Sequence, residues 1–161
     1  MPITGENYRE IGRSAAGAVS VVAAYDAHSD SVAALTVSSF VTLSFEPPLV
    51  MFAIQHGGAS FRSMVESKQF GVSLLTAGQR HLAERFASRG SGRRDRRDFV
   101  SGETLEVPLL AGALAQVECS THQLVVSGDH AIVVGLVEAA RTQPGEPLLY
   151  FARRYGSFTP L

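Results

Sequence analysis

The chain is 161 residues long with a net charge of -1, 45% hydrophobic and 18% charged residues. That length supports one core and leaves no expectation of a second domain, so residues 1–161 read as a single unit. Near-neutral charge gives no electrostatic case for nucleic acid or an anionic membrane as partner. No apolar run reaches the ~18 residues a bilayer span needs. The N-terminal stretch carries acidic residues and no apolar signal core, so a cytoplasmic setting is expected. The single cysteine, Cys119, excludes an internal disulfide and a cysteine-rich metal site, and it reads as a small core residue.

In chain order, residues 6–16 have helical spacing, with Tyr8, Ile11 and Ala15 on one face and Gly17 placed to end the helix. Residues 18–27 form a Val-rich run that reads as a buried strand. The turn composition of HSDS at 28–31 makes it one arm of a hairpin with residues 32–38. VTLSF at 41–45 alternates as a strand, and the following EPP must leave the ladder because proline has no N–H to donate. LVMFAI at 49–54 is a short continuous apolar strand that ends in QHGG. Residues 59–68 switch to helical period, with Ser60 available as the N-cap. FGVSLLT at 70–76 returns to strand, and Thr76 and Gln79 have capping-box spacing ahead of a helix carrying Leu82 and Phe86. The Arg-rich segment 87–99 offers little to bury and reads as a solvated loop. Beyond Leu109 three further strand segments are joined by short turns at Gly128-Asp129 and Pro144-Gly145-Glu146. With at least six strands and few connections long enough for a parallel crossover, a mainly β, antiparallel barrel with a few short helices is expected.

The usual catalytic signatures are missing: no G-x-G-x-x-G after a strand, no phosphate loop and no G-x-S-x-G elbow. The five histidines lack metal-ligand spacing, so no metal site is expected. Chemistry would then come from a bound cofactor or from two substrates held together. Thr36-Val37-Ser38-Ser39-Phe40 sets three hydroxyls and an aromatic ring at the end of a strand. This is either a solvated edge or a seat for something flat with a polar rim.

Taken in order, TVSSF, LSFEPPLVMFAI, the Gly/Ser turn into a helix, FGVSLL, LAERFASRG, SGDHAIVVGLV and PLLYFARRY resemble the short-chain flavin reductase family. This is the flavin reductase-like domain of the FMN-binding split-barrel superfamily, and the resemblance runs from about Gly17 to Tyr155. It implies an antiparallel, Greek-key-like split barrel that binds FMN or FAD and takes hydride from NADH or NADPH onto flavin N5. It further implies a homodimer that supplies reduced flavin to a partner flavin-dependent monooxygenase.

By the same resemblance, Thr36, Val37, Ser38, Ser39 and Phe40 run along the flavin ring. Gln55, His56, Ser60 and Phe61 belong to the turn that meets the flavin phosphate, with the Ser60 and Phe61 amides as donors at a helix start. The chain departs from the family here, because Ala59 stands where many relatives carry Lys or Arg, and Arg62, Arg85 or Arg89 are the available substitutes. Phe86 and Ala87 border the flavin, and Tyr150, Arg153, Arg154 and Tyr155 meet the pyridine nucleotide. His130, in Gly128-Asp129-His130, is the candidate catalytic residue beside the flavin and nicotinamide. A non-catalytic flavin- or haem-binding split barrel is the alternative. The RRDRR run lacks interleaved aromatics, which argues against a nucleic-acid patch.

Overall fold

A computed structural model describes residues 3–58, 60–88 and 93–161. Along the chain come α1 (Gly5–Ser14), β1 (Gly17–Ala18), β2 (Ser20–Tyr25), β3 (Ser31–Val37), β4 (Val41–Ser44) and β5 (Leu49–Gln55). These are followed by α2 (Phe61–Ser67), β6 (Gln69–Leu74), α3 (Arg80–Ala87), β7 (Arg93–Asp95), β8 (Val100–Ser101) and β9 (Pro108–Leu109). The chain closes with β10 (Ala115–Ser127), β11 (His130–Thr142), β12 (Leu149–Phe151) and β13 (Arg154–Gly156).

Eight strands form one antiparallel sheet in the order β4-β5-β11-β10-β6-β2-β3-β7, and β1-β12-β13 form a smaller one. The sheet turns on the long hairpin of β10 and β11, whose turn holds Gly128 at φ +63. Register shifts between Glu118 and Cys119 and between Thr121 and Gln123 bend this ribbon. One half of it pairs with β6 and the other strand pairs with β5. The ribbon can curl because β11 carries Gly135 where a Cβ would stand 2.5 Å from the Phe70 ring.

The Val-rich β2 is buried on both faces because the pleat deals its side chains to two cores. Val22 and Ala24 enter the barrel interior with Phe52, Phe70, Val72 and Val133. Val21 and Ala23 face the opposite way, into a second core with Ala83 and Phe86 of α3, Leu75 and Leu148. The two sheets meet at a cycle of buried backbone hydrogen bonds, in which Val19 N–H donates to Leu148, Leu148 to Leu75 and Leu75 to Val19, each at 2.9 Å. At the far seam, where β3 passes β5, the Ala53 N–H donates to Ser39 Oγ at 3.0 Å. An antiparallel barrel split along one side is the result.

Two expectations need correction. The N-terminal helix forms and is capped by Thr4, but its apolar face is open: no residue of the helix is buried, Tyr8 and Ile11 are exposed, and the helix ends at Ser14, before Gly17. The Arg-rich segment is also more ordered than its composition implies. Residues 93–95 extend the sheet beside β3, and 96–98 form a 3-10 turn capped by Asp95. The arginines there are held by stacking and pairing: Arg96 lies 4.1 Å from the Tyr25 ring centroid and 2.9 Å from Asp30.

Candidate active site

Strand β3 pairs on its outer side with β7 only at Ser31, Val32 and Ala33. Among the described residues, the outer edge from Ala34 to Val37 therefore has no strand partner. Its neighbour is α3, tied to it by the Thr36 hydroxyl, which donates to the Ala83 carbonyl at 2.8 Å. Past this contact a cleft of about 170 Å³ opens, lined by Val19, Thr36, Val37, Ser38, Ala87, Tyr150 and Tyr155. Three separate stretches singled out from the sequence, 36–38, Ala87 and the C-terminal tyrosines, thus converge on one space.

Each wall has a local cause. Gly17 makes the approach of Ser38 possible, because a Cβ there would stand 2.7 Å from the Ser38 carbonyl oxygen. The same glycine pairs with Tyr150 in the β1-β12 ladder. Tyr150 and Tyr155 face each other across the β12-β13 hairpin with ring centroids 5.2 Å apart. The Arg80 guanidinium caps this pair at 5.6 Å from the Tyr155 ring. Partial burial pushes the Tyr155 hydroxyl above its ordinary pKa, with the neighbouring Tyr150 adding to the shift. Flat aromatic surface stands on one side, and hydroxyls with an unladdered backbone edge stand on the other. That donor set fits a planar ring system with an apolar body and a hydrogen-bonding rim, as an isoalloxazine has.

A second cluster lies at the end of β5. Ser39 and Phe40 lead away from the cleft toward it, with Ser39 bonded to Ala53 and Phe40 packed on the barrel core. Gln55 pairs with His130 at the start of β11, and the His56 N–H donates to the Asp129 carbonyl at 2.9 Å. The His56 and Phe61 rings pack at a tilt of 56° with centroids 4.8 Å apart. His130 is exposed, with Nδ1 2.7 Å from the Asp129 carboxylate, and that hydrogen bond holds the carboxyl below its usual range. The turn 55–58, α2 and His130 thus share one rim, but neither His130 nor Ser60 lines the cleft.

The expected anion site at α2 changes in detail. Ser60 precedes the helix yet makes no side-chain capping bond, and the Phe61 N–H is already committed to the Gly58 carbonyl at 3.0 Å. The Ser60 amide and hydroxyl remain of the donors expected there. Arg62 pairs with Glu66 at 2.7 Å, and Arg85 with Asp98 at 2.5 Å. Arg89 lies outside the described residues. Phe86 is buried behind the cleft, with Ala87 at its wall. The sequence reading missed Val19 and Arg80. Nothing local marks Val19, whereas Arg80 directly follows the Thr76–Gln79 capping box that the structure forms. Among the described residues no group of three or more His, Cys, Asp or Glu is placed to hold a metal, and no helix is long and apolar enough to cross a membrane.

An open antiparallel barrel with a tyrosine-walled cleft beside a bare strand edge defines a split-barrel protein of the ring-binding class. Residues 12–159 match the flavin reductase like domain, and the chain belongs to that family. It is 37% identical over 151 residues to the reductase component of 4-hydroxyphenylacetate 3-monooxygenase from Thermus thermophilus, covering 93% of this chain and 94% of that one. It is 35% identical over 131 residues to an NADH-dependent FAD reductase of Streptomyces globisporus, covering 78% and 72% respectively. Among solved structures, the S. globisporus NADH:FAD oxidoreductase SgcE6 superposes with a TM-score of 0.89 at 32% identity, over 99% of this chain and 96% of that one. BorF, the flavin reductase component of a bacterial two-component tryptophan halogenase, gives 0.88 at 31%, over 98% and 100%.

Proposed function

We propose that this chain is an NAD(P)H-dependent flavin reductase that takes FMN or FAD as hydride acceptor and hands the reduced flavin to a separate flavin-dependent monooxygenase. The carrying observation is the convergence of the unpaired β3 edge, Ser38 and the Tyr150–Tyr155 pair on one cleft. When bound, the flavin supplies the electron-accepting ring and reduced nicotinamide supplies the hydride. The protein's contribution is to hold the two rings face to face, which is catalysis by proximity and orientation. Thr36, Val37 and Ser38 present the polar strand edge, with Ser39 and Phe40 continuing it toward the rim. Tyr150 and Tyr155 provide the flat wall, and Phe86 and Ala87 close the far side. Gln55, His56, Ser60 and Phe61 meet the phosphate end, and His130, held by Asp129, stands at the nicotinamide side. The Arg153 guanidinium serves the nucleotide phosphates, and Arg154 lines a separate cavity on the other side of the hairpin turn.

At about 170 Å³ the cleft is smaller than a complete ligand pocket of roughly 300–1,000 Å³. One chain therefore provides one wall, and a homodimer that brings a second surface over the cleft completes the site. Exposed Val41 and Leu43 on edge strand β4, with Phe45 just past its end, are apolar surface of the kind such an assembly buries.

Steady-state oxidation of NADH and NADPH, measured with FMN, with FAD and without flavin, tests the proposal. Oxidation that saturates with an added flavin supports it and ranks both substrates. Tight flavin or haem binding with no oxidation above the protein-free control would replace it with the carrier alternative.

A further inference from the structure

Arg153 and Arg154 are neighbours in sequence, but the structure separates them. Hairpin β12-β13 turns through Ala152 at φ +48 and Arg153 at φ +65, both in the left-handed region. Such a two-residue turn favours Asn and Gly, and holding an arginine there costs on the order of 1 kcal/mol. The Ala152 N–H donates to the Arg13 carbonyl at 3.2 Å, which pins the turn to the end of α1. Arg153 then joins Arg9, Gly12 and Arg13 of that helix and Tyr150 around a cavity of about 220 Å³. Arg154 instead lines a different cavity with Ala16, Leu149 and Phe151.

Charge in the Arg153 cavity is unbalanced toward the positive. Arg9 pairs with Glu6 at 3.3 Å, and Arg13 pairs with Glu6 at 3.3 Å and with Glu10. Arg153 has no ion pair or side-chain hydrogen bond among the described residues. Two carboxylates therefore face three guanidiniums. The Arg13 carbonyl, part of the negative end of the helix dipole, is already occupied by Ala152. Tyr150 is the wall shared by this cavity and the flavin cleft. A nucleotide whose ring lies against one side of Tyr150 carries its phosphates, one ribose away, toward the other.

We propose that Arg9 and Arg13 of α1, together with Arg153, bind the diphosphate of a dinucleotide whose ring occupies the cleft across Tyr150. Guanidinium forks match phosphate oxygens in pairs, and a left-handed arginine is backbone strain of the kind that clusters at ligand sites. The proposal rests on the reductase reading above and adds the N-terminal helix to its substrate site. The diphosphate belongs either to the nicotinamide dinucleotide or to FAD.

Calorimetric titration of NAD+, nicotinamide mononucleotide, FAD and FMN into the wild type, Arg9→Ala and Arg153→Gly tests this. Glycine suits the φ of position 153, so Arg153→Gly removes the guanidinium while relaxing the turn. Arg9 is exposed, so its removal leaves the fold intact, as circular dichroism would check. Each variant is expected to lose roughly tenfold in affinity for a dinucleotide, the size of one charge-assisted contact, with its mononucleotide unaffected. A loss confined to NAD+ assigns the site to the hydride donor, and one confined to FAD assigns it to the acceptor. Unchanged dinucleotide affinity, equal weakening of dinucleotide and mononucleotide, or a wild type that binds no dinucleotide overturns it. A wild type that turns over while Arg153→Gly binds normally defeats this site alone, whereas a wild type with no nicotinamide oxidation defeats the reductase reading itself.

Discussion

The Thr36 hydroxyl donates to the Ala83 carbonyl across 2.8 Å, coupling the strand that edges the cleft to the helix that ends at its opposite wall. Among the described residues no other polar contact joins α3 to β3, so the apolar packing of Ala83 and Phe86 would be left to hold Ala87 beside Thr36. Thr36→Val keeps the β-branched shape and removes the donor. It should cost about 0.5–1.5 kcal/mol in stability and weaken flavin binding, while Thr36→Ser should keep both. Denaturant titration and flavin fluorescence quenching measure the two effects. A Thr36→Val protein with unaltered flavin affinity would show that α3 is positioned by apolar packing alone.

Gly17 is the narrowest point behind the site. A methyl group there would sit 2.7 Å from the Ser38 oxygen, and the listener on its other side in the ladder is Tyr150. Gly17→Ala must therefore push Ser38 outward or shift β12, and both move a cleft wall. The expected outcome is a folded protein with flavin affinity reduced at least several-fold and a raised KM for flavin. Retention of full affinity would mean that Ser38 does not touch the ring.

The cleft was legible in the sequence where chemistry and periodicity coincide, and illegible where tertiary contacts decide. Apolar runs bounded by turn residues placed β2 to β6 within a residue or two, and the hydroxyl-rich end of β3 stood out because three hydroxyls before an aromatic are poorly used on a strand that buries nothing polar. The strand at 93–95 was hidden because its partner is only the first three residues of β3, and because Arg94, over Phe86, and the adjoining Arg96, against Tyr25 and Asp30, are held by contacts other than burial. Helix α1 was visible through its spacing, but periodicity says only that a face is apolar, not that anything in the same chain covers it. Ser60 looked like a cap by position, yet its φ and ψ of -89 and -14 are already helical, and the geometry that lets a side chain cap the turn is absent.

Cys119 lies fully buried in β10 against Phe70 and Gly135. Burial, then the charges of Glu138 and Glu118, push its thiol up to about 12. Its folded-state pKa is above the value of 9.0 taken for an unperturbed thiol. The stability it contributes by staying neutral is therefore full below about pH 9 and lost as the pH climbs toward about 12. Native protein should resist thiol-directed alkylation at mildly alkaline pH and react only with the onset of unfolding. Fast native-state labelling would show that the β10-β6 ladder opens locally.

Glu118 is the buried carboxylate that holds the loop between β8 and β9. Its Oε1 accepts from the Glu103 N–H at 3.0 Å, and its Oε2 accepts from Thr104 at 2.9 Å and Leu105 at 2.7 Å. It is 4% exposed, so water cannot replace it. Glu118→Gln retains the shape but turns an N–H₂ group toward at least one of those donors, leaving a buried amide unpaired. With hydrogen bonds to a charged group contributing about 1.5–3 kcal/mol each, a loss of roughly 2–4 kcal/mol is expected. Gly102→Ala should act in the same direction, because its Cβ would stand 2.6 Å from the carboxylate. Both should lower the thermal midpoint and leave the KM for flavin unchanged in protein kept below it, since the loop lines no part of the cleft. A shifted KM at full folding would tie this loop to the site, and an unshifted midpoint would mean that the three amides find other acceptors.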